Sequence, residues 1–336
     1  MAKKRIAING FGRIGRAAAR LILSGHTNNI ELVAINDPSP TEISAYLFEF
    51  DSNFGRYNGS VQIEDGGDTL NIDGVKIRKF TTREISELPW GELNIDVVID
   101  CTGAFRTQEK AAPHIAQGAK KVLLSAPAKD DNFKTVVIGV NDDTLTGEEQ
   151  FVSNASCTTN GLAPIAKVLN ENFGIESGLM TTIHSYTSSQ PVLDLGGKGG
   201  KDFRRMRSAG VSILPTSTGA AKAVGLVLPE LKGKLDGLAI RVPTPTVSLI
   251  DLTLKLQKQA TAEEINKAIE KASTALPHII GYEPRPLVSI DYKCDSHSTI
   301  FDPTETRVLG DMVKVLSWYD NEWGYSCRLV ELAEKL

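Results

Sequence analysis

Short apolar runs alternate with helical patterns over the first 125 residues. Segments 16–23 and 107–117 are rich in helix-forming residues. Four apolar runs of strand length accompany them, at residues 4–8, 30–35, 95–100 and 121–124. Continuous apolar runs, rather than strict alternation, are typical of parallel strands that are buried on both faces. The N-terminal part of the chain is therefore predicted to be an α/β unit with a parallel sheet.

The pattern changes beyond residue 150. Residues 247–256 partly alternate between apolar and polar positions, as a strand with one buried face does. Thr261 and Glu264 form a capping-box pattern at the start of a helix over residues 262–273. Further strands are predicted at residues 179–185, 238–241, 298–301 and 311–318, and a last helix from about residue 321. We expect a domain boundary near residue 150, with the last helix returning to the first domain.

The first predicted strand runs into the sequence NGFGRIG, in which Gly10, Gly12 and Gly15 form a G-x-G-x-x-G motif. In such a motif the first glycine allows a tight turn, the second lets the backbone approach a pyrophosphate, and the third lets helix and strand pack closely. Asp37 follows the second strand, where its carboxylate would accept hydrogen bonds from an adenosine ribose and repel a 2′-phosphate. The whole context favours a dinucleotide-binding domain over an ordinary glycine-rich turn.

Small polar residues follow two other predicted strands. Thr102 comes after residues 95–100, and Ser125 comes after residues 121–124. Because the carboxyl ends of parallel strands face the cofactor crevice, both are candidates to line it, with simple turn chemistry as the alternative. The neighbouring Cys101 is interpreted as a small buried hydrophobe rather than a reactive thiol.

Cys157 is the candidate nucleophile. It precedes a helical pattern over residues 162–169, which predicts a helix N-terminus at the cysteine, capped by Asn154 or Ser156. The positive end of a helix stabilises a thiolate, so we expect the pKa of Cys157 to be lowered. His184 lies in a predicted strand beside further hydroxyl residues, and it is the candidate base for this thiol.

Length, charge and cysteine content restrict the class of protein. A chain of 336 residues predicts two domains, and a net charge of −4 argues against general nucleic-acid binding. Four cysteines in no CxxC pair suit a reducing compartment, so the cytoplasm is expected. No metal-ligand spacing, membrane-length apolar run or cleavable signal peptide is recognised.

Two further segments carry candidate anion-binding residues. Residues 188–210 are glycine-rich and basic, and a functional loop is favoured there over nucleic-acid binding because the flanking composition is not basic. Its cations are Lys198, Lys201, Arg204, Arg205 and Arg207. Residues 216–219 open a predicted helix that extends to residue 227, where hydroxyls and backbone N–H groups would cradle an anion.

Together these residues resemble the phosphorylating glyceraldehyde-3-phosphate dehydrogenases of glycolysis. The resemblance extends over essentially the whole chain and rests on residues 9–16, 155–160, 184–187, 217–225, 241–245 and 318–324. It implies an NAD-binding Rossmann domain at residues 1–153, with the C-terminal helix, about residues 320–336, packing back on it. It also implies an α+β catalytic domain at residues 154–319, with a large mixed, mainly antiparallel sheet, and a homotetramer.

The resemblance also implies residue roles, with Cys157 as nucleophile and His184 as its activator. NAD would be bound by Gly10, Gly12, Arg13, Ile14, Gly15, Asp37, Arg83, Thr102, Ser125 and Asn321. The substrate's phosphate would be held by Thr187 and Arg241, with Arg205 as a further contact. Incoming phosphate would be bound by Ser156, Thr158, Thr218 and Gly219.

The implied activity is oxidative phosphorylation of D-glyceraldehyde 3-phosphate to 1,3-bisphosphoglycerate, through a cysteine hemithioacetal and a thioester. The expected partners are this substrate and inorganic phosphate, with no membrane and no specific nucleic acid. Two alternatives stay open at this point. One is an erythrose-4-phosphate dehydrogenase on the same scaffold, and the other is a non-catalytic NAD- or RNA-binding protein that uses the basic loop.

Overall fold

The computed structural model describes residues 2–196 and 202–336. Its helices are α1 (Arg13–Leu23), α2 (Thr41–Glu49), α3 (Gln108–Ala116), α4 (Cys157–Phe173), α5 (Ala220–Val227), α6 (Ala262–Ala275) and α7 (Trp323–Lys335). The strands up to residue 153 are β1 (Lys4–Asn9), β2 (Ile30–Asn36), β3 (Val61–Glu64), β4 (Thr69–Ile72), β5 (Val75–Phe80), β6 (Val97–Asp100), β7 (Lys121–Leu124), β8 (Lys134–Thr135) and β9 (Phe151–Ser153). Those that follow are β10 (Ile175–Ser185), β11 (Leu214–Ser217), β12 (Leu235–Val242), β13 (Ser248–Leu256), β14 (Ile280–Tyr282), β15 (Thr299–Leu309) and β16 (Met312–Tyr319).

The described residues form two compact units. Unit 1 comprises those within Met1–Val136, Thr144–Ala155 and Ser326–Leu336, and unit 2 those within Val137–Asp143 and Ser156–Tyr325. Unit 1 is therefore assembled from three separate stretches of chain, the last of which is most of α7. Two cations of the predicted basic loop, Lys198 and Lys201, lie outside the described residues.

Unit 1 is built on a sheet with the strand order β3-β4-β5-β2-β1-β6-β7-β9-β8. All neighbours from β5 to β8 are parallel, whereas β3 and β4 pair antiparallel at one edge. Every residue of β6 is buried, which explains why its sequence is a continuous apolar run rather than an alternating one. The predicted α/β class and Rossmann architecture are confirmed.

The strand order reverses between β1 and β6. From β1 the chain crosses to β2 on one side, and β6 later pairs with β1 on the other side. In parallel sheets, ligands bind outside the carboxyl ends of the strands at such a switch point. The residues that follow β1 and β6 at this edge include Gly10 and Thr102, both among the predicted site residues.

The glycine motif shapes the turn between β1 and α1. Gly10 has a φ of 92°, a left-handed conformation that side chains disfavour. A Cβ on Gly15 would lie 2.2 Å from the Gly10 carbonyl oxygen, so the third glycine is required for close packing. α1 begins at Arg13 rather than at the predicted Arg16, because the chain turns helical directly after its N-cap, Gly12.

Unit 2 contains a sheet with the order β11-β12-β10-β13-β16-β15-β14. The pairs β10–β12 and β14–β15 are parallel, and the other four neighbouring pairs are antiparallel. Along β13, buried and half-buried residues alternate, as the sequence pattern predicts. The mixed, mainly antiparallel sheet is confirmed.

Helix ends in unit 2 follow their capping chemistry. The predicted capping box at Thr261 and Glu264 is present and begins α6. α7 starts at Trp323 rather than near Asn321, because the Asp320 carboxylate accepts the Trp323 N–H at 2.9 Å and so ends the preceding turn.

The two glycines of the turn have opposite steric surroundings, which gives a matched pair of variants. Gly15→Ala should destabilise the protein by about 1–3 kcal/mol, because the new methyl group overlaps a carbonyl oxygen. Gly12→Ala should leave stability nearly unchanged, since a Cβ there would meet no atom within 4 Å. Thermal or urea unfolding of both variants measures the difference, and equal stability of the two would contradict the packing role of Gly15.

Candidate active site

Cys157 is the first residue of α4. Ser156 occupies the N-cap position, and its hydroxyl oxygen accepts the Thr159 N–H at 3.0 Å. Of the two predicted caps, Asn154 and Ser156, the structure therefore selects Ser156. The cap holds the first turn of α4 in place, so the cysteine side chain starts from a fixed backbone position at the positive end of the helix.

The Cys157 Sγ atom lies 3.5 Å from Nε2 of His184, within hydrogen-bonding distance for sulfur. His184 is the second-last residue of β10 and is only 4% exposed. Its other ring nitrogen, Nδ1, lies 2.7 Å from the Ser185 carbonyl oxygen. When Nδ1 carries the proton and donates it to this carbonyl, Nε2 faces the sulfur as a proton acceptor.

Burial controls the protonation of this pair. Burial raises the pKa of the Cys157 thiol, against the Arg241 guanidinium and the hydrogen bonds from Thr158, which lower it. Burial together with the Arg241 charge lowers the pKa of His184 to about 3. The prediction that the helix N-terminus would lower the thiol pKa is therefore wrong, because the loss of solvation outweighs it. At neutral pH both groups are uncharged, and His184 Nε2 is positioned to accept the proton of the thiol.

Arg241 comes into direct contact with His184 because β10 and β12 are parallel neighbours in which these two residues are paired. The Arg241 Nη1 atom lies 2.5 Å from His184 Nδ1 and donates to the Ser185 carbonyl oxygen at 2.8 Å. The same ring nitrogen, Nδ1, can therefore either accept a hydrogen bond from the guanidinium or donate one to the Ser185 carbonyl. This position beside the reactive pair is suited to an anionic substituent of a bound substrate.

Tyr319, which the sequence analysis does not single out, supports the pair. Its hydroxyl is 2.8 Å from the hydroxyl oxygens of both Thr158 and Thr182, and its ring packs edge-on against the His184 ring at 6.0 Å. Tyr319 ends β16 and is 1% exposed. The alternating burial of β16 indicates that this position faces inward, but its partners follow only from the fold.

The other two candidates for the substrate's phosphate are arranged differently. Thr187 lies two residues beyond the end of β10, and its hydroxyl contacts that of Ser189 at 3.0 Å. Arg205 donates to the Thr216 hydroxyl at 2.7 Å and to the Ser217 carbonyl at 3.0 Å, which fixes it against β11. Its charge also lowers the pKa of His184, so Arg205 lies within electrostatic range of the pair.

The candidates for incoming phosphate lie at two helix N-termini. The Thr159 hydroxyl donates to the Ala220 carbonyl at 3.4 Å, which brings the start of α5 next to the start of α4. The Thr218 hydroxyl accepts the Ala220 N–H at 3.2 Å, and a Cβ on Gly219 would meet no atom within 4 Å. Thr158 is 3% exposed and its hydroxyl is engaged by Tyr319, so a contact to phosphate from this residue would come from its backbone.

In unit 1, the Asp37 carboxylate is held by the backbone. Phe11 N–H donates to Oδ2 and Ser39 N–H donates to Oδ1, each at 2.9 Å. Burial acts to raise the pKa of Asp37, but these hydrogen bonds prevail and lower it below the ordinary value. The carboxylate is therefore ionised at neutral pH and kept in one orientation.

A pocket of about 560 Å³ is lined by Pro38, the residue after Asp37, and by Arg83, which is predicted to bind the cofactor. Its lining residues are Pro38, Phe80, Thr81, Thr82, Arg83 and Glu87. At the turn after β1, a Cβ on Gly12 would meet no atom within 4 Å, and Gly12, the N-cap of α1, makes no side-chain cap hydrogen bond. An ionised carboxylate, an open pocket and a helix N-terminus without a side-chain cap fit the ribose, adenine and pyrophosphate of a dinucleotide.

The remaining predicted cofactor residues occupy strand ends or turns. The Thr102 hydroxyl donates to Asp100 Oδ1 at 2.8 Å, and Ser125 N–H donates to the Asp100 carbonyl at 2.9 Å. Directly before Thr102, burial raises the pKa of Cys101 to about 12, which agrees with an inert thiol. In unit 2, the Asn321 amide oxygen accepts the Ser248 hydroxyl at 2.9 Å, so the orientation of this amide is fixed.

Among the residues that the structure describes, no group of three or more His, Cys, Asp or Glu side chains is placed to hold a metal ion. Within the same residues, no helix combines the length and the apolar character that crossing a membrane requires.

Comparisons with known proteins identify the family of this chain. Residues 4–108 match the model of the glyceraldehyde 3-phosphate dehydrogenase NAD binding domain, and residues 156–321 match that of the C-terminal domain. The glyceraldehyde-3-phosphate dehydrogenase of Zymomonas mobilis is 52% identical over 99% of this chain and 98% of its own length. That of Xanthobacter flavus is 53% identical over 98% of this chain and 97% of its own length. With both domain models matched in order, this chain belongs to the glyceraldehyde 3-phosphate dehydrogenase family and is an NAD-dependent oxidoreductase.

Proposed function

We propose that this protein converts D-glyceraldehyde 3-phosphate, NAD and inorganic phosphate into 1,3-bisphosphoglycerate and NADH. The observation that carries the proposal is the contact between Cys157 Sγ and His184 Nε2, beside the Arg241 guanidinium. A thiol next to a base forms a covalent intermediate with an aldehyde, and the adjacent cation selects an aldehyde that carries an anionic group. Formation of NADH from these three reactants, followed by absorbance, tests the proposal directly.

The first step joins the sulfur to the aldehyde carbon. As Cys157 Sγ attacks, its proton passes to His184 Nε2 and then to the former carbonyl oxygen, giving a hemithioacetal. Arg241 and Thr187 hold the phosphate of the substrate. An anion bound by Arg241 draws its N–H away from His184 Nδ1, which favours the tautomer whose Nδ1–H donates to Ser185. Recognition of the phosphate and readiness of the base are thereby linked.

The second step is oxidation. NAD, when bound, supplies the acceptor for the hydride that leaves the hemithioacetal carbon. His184 Nε2 accepts the hydroxyl proton, and the carbon remains attached to Cys157 as a thioester. The cofactor residues proposed for this chain are the glycine motif with Arg13 and Ile14, Asp37, Arg83, Thr102, Ser125 and Asn321.

The third step releases the product. A phosphate oxygen attacks the thioester carbon, the bond to Cys157 Sγ breaks, and the proton held on His184 returns to the sulfur. The proton of the attacking hydrogen phosphate goes to solvent. We propose that Ser156, Thr158, Thr218 and Gly219 bind this phosphate, since two adjoining helix N-termini present N–H groups to an anion.

The assembly and cellular location are also proposals. Five apolar side chains of the segment around residues 192–213 are more than 70% exposed: Val192, Leu193, Phe203, Val211 and Ile213. Clustered exposed apolar residues are typical of protein–protein contacts, which supports the homotetramer. The low cysteine content supports the cytoplasm. We propose that the functional boundary between the NAD-binding and catalytic domains lies near residues 153–154.

The alternatives are less well supported. Family matches over both domains favour neither an RNA-binding protein nor an erythrose-4-phosphate dehydrogenase. Rates with the two sugar phosphates, each with and without inorganic phosphate, separate the two enzymes.

Removal of either member of the pair should stop the chemistry without preventing NAD binding. Cys157→Ser replaces a thiol by a hydroxyl that is hardly ionised at neutral pH, so turnover should fall by several orders of magnitude. His184→Asn should lower kcat by roughly 10²–10⁴-fold, the usual contribution of a general base. It should also slow alkylation of Cys157 by iodoacetamide at pH 7, because the sulfur proton loses its acceptor. Turnover above a few per cent in the serine variant would overturn the assignment.

Thr187 gives the cleaner test of the substrate-phosphate site, because Arg241 also contacts the base. Thr187→Val should lower kcat/KM for glyceraldehyde 3-phosphate by about tenfold, the loss of one hydrogen bond to a charged group. The rate with unphosphorylated glyceraldehyde should stay the same. Arg241→Ala should lower the first rate further and should also slow alkylation of Cys157, since its charge lowers the thiol pKa. If Thr187→Val affects both aldehydes equally, Thr187 does not bind the phosphate.

Asp37 should determine the choice of cofactor. Its ionised carboxylate repels a 2′-phosphate, so the wild-type protein should prefer NAD strongly over NADP. Asp37→Ala should bring the kcat/KM values for NAD and NADP closer together, mainly by weakening the binding of NAD. Equal use of both cofactors by the wild-type protein would rule out this role.

A further inference from the structure

Lys79 is a buried cation that the proposed chemistry does not use. It lies in β5, where it pairs with Ile35 of β2, and it is 3% exposed. Buried lysines are rare unless their ammonium group is satisfied by partners. Its surroundings therefore require an explanation.

The ammonium group is held by three backbone carbonyls. Nζ donates to Asp37 O at 2.7 Å, to Phe80 O at 2.8 Å and to Ser39 O at 3.2 Å. An ammonium group has three N–H donors, so the three carbonyls satisfy all of them. Two of the carbonyls belong to the loop after β2 and one to the end of β5, so the lysine joins these segments.

The same loop presents the Asp37 carboxylate. Ser39 donates its N–H to Asp37 Oδ1 and gives its carbonyl to Lys79, while Phe80 O accepts from both Lys79 Nζ and the Asp37 N–H. Phe80 also lines the pocket that contains Arg83. Lys79 thus fixes the backbone from which both the carboxylate and a wall of this pocket extend.

We propose that Lys79 is a positioning residue for the cofactor, which holds the loop of residues 37–39 so that Asp37 can receive the adenosine ribose and exclude a 2′-phosphate. This inference rests on the cofactor role proposed for Asp37. Lys79 acts through Asp37 and does not itself touch the cofactor.

The charge on Lys79 is sensitive to pH. Burial lowers the pKa of Lys79 to about 8, and the Asp37 carboxylate partly opposes this shift. Other charged groups of the surrounding elements are turned to solvent: Asp68 before β4, Arg78 on β5, and Arg83 and Glu87 beyond it are all exposed. Above pH 8 the ammonium therefore loses a proton, and the clamp on the three carbonyls weakens.

The test compares Lys79→Met with Lys76→Met. Both variants remove one lysine charge from β5, but Lys76 is exposed and pairs with Glu64 at the surface. Dissociation constants for NAD and NADP are measured by titration of each folded protein between pH 6.5 and pH 9.5, a range of about 1.5 units on each side of the Lys79 pKa. At pH 7, Lys79→Met should weaken NAD binding about tenfold, which corresponds to the loss of one charge-assisted hydrogen bond. It should also lower the preference for NAD over NADP. Lys76→Met should resemble the wild type.

Three further readouts separate positioning from a general loss of stability. KM for NAD should rise while kcat at saturating NAD stays the same, because the reacting groups are not touched. The NAD affinity of the wild type should fall above pH 8 and approach that of Lys79→Met, whose affinity should be flat. In an Asp37→Ala background, Lys79→Met should have no further effect on NAD binding.

Each outcome bears on one of the two proposals. If Asp37→Ala leaves NAD binding and selectivity unchanged, the role of Asp37 is wrong and the inference about Lys79 fails with it. If Asp37→Ala acts as expected but Lys79→Met binds NAD as Lys76→Met does, only the inference about Lys79 is overturned. Should Lys79→Met not fold, Lys79→Gln and the wild-type pH profile decide, and a flat wild-type profile would refute the clamp.

Discussion

The parallel pairing of β10 with β12 is the constraint on which the reactive site depends. It places His184 beside Arg241, and the buried start of α4 places Cys157 against the other side of the imidazole. The buried imidazole next to a guanidinium has a lowered pKa, and partial loss of solvation raises the pKa of the half-buried Cys157 thiol. At neutral pH the pair is therefore uncharged, and the surrounding contacts keep sulfur and nitrogen within hydrogen-bonding distance. Ser156 fixes the first turn of the helix, and Tyr319 fixes the ring of the histidine.

In unit 1, the cofactor site that we propose relies on backbone more than on side chains. A left-handed glycine and a close helix–strand contact shape the turn before α1, and one carboxylate carries the proposed selectivity. That carboxylate is held from two directions, by N–H groups at its oxygens and by a lysine under the carbonyls of its loop. Such an arrangement is rigid because each participant has few alternatives. A loop of this kind would otherwise have considerable conformational freedom.

Most of the elements that carry the candidate site are predictable from the sequence, for physical reasons that can be named. Residues 121–124 are a strand as predicted, and the box at Thr261 and Glu264 begins a helix, because apolar runs and caps act locally. The predicted direction of the Cys157 pKa shift is wrong, because the loss of solvation depends on which distant segments cover the thiol. Strands β3, β4 and β5 lie outside the segments predicted as strands. Tyr319 and Lys79 also escaped notice, because Tyr319 meets Thr158 across 161 positions and Lys79 meets Asp37 across 42.

The assembly of unit 1 from three stretches of chain has a consequence for biosynthesis. The helix that follows residue 325 buries Leu329, Val330 and Leu332 completely, and Glu334 accepts hydrogen bonds from Lys4 and from the backbone of Asn29. During translation, residues 2–136 leave the ribosome long before this helix, so their contacts with it cannot form until the helix has been synthesised. The nascent first unit therefore exposes an apolar surface while unit 2 is still being made, and it closes only through contacts between residues more than 300 positions apart. Every residue of unit 2 is thus synthesised before unit 1 receives its last helix.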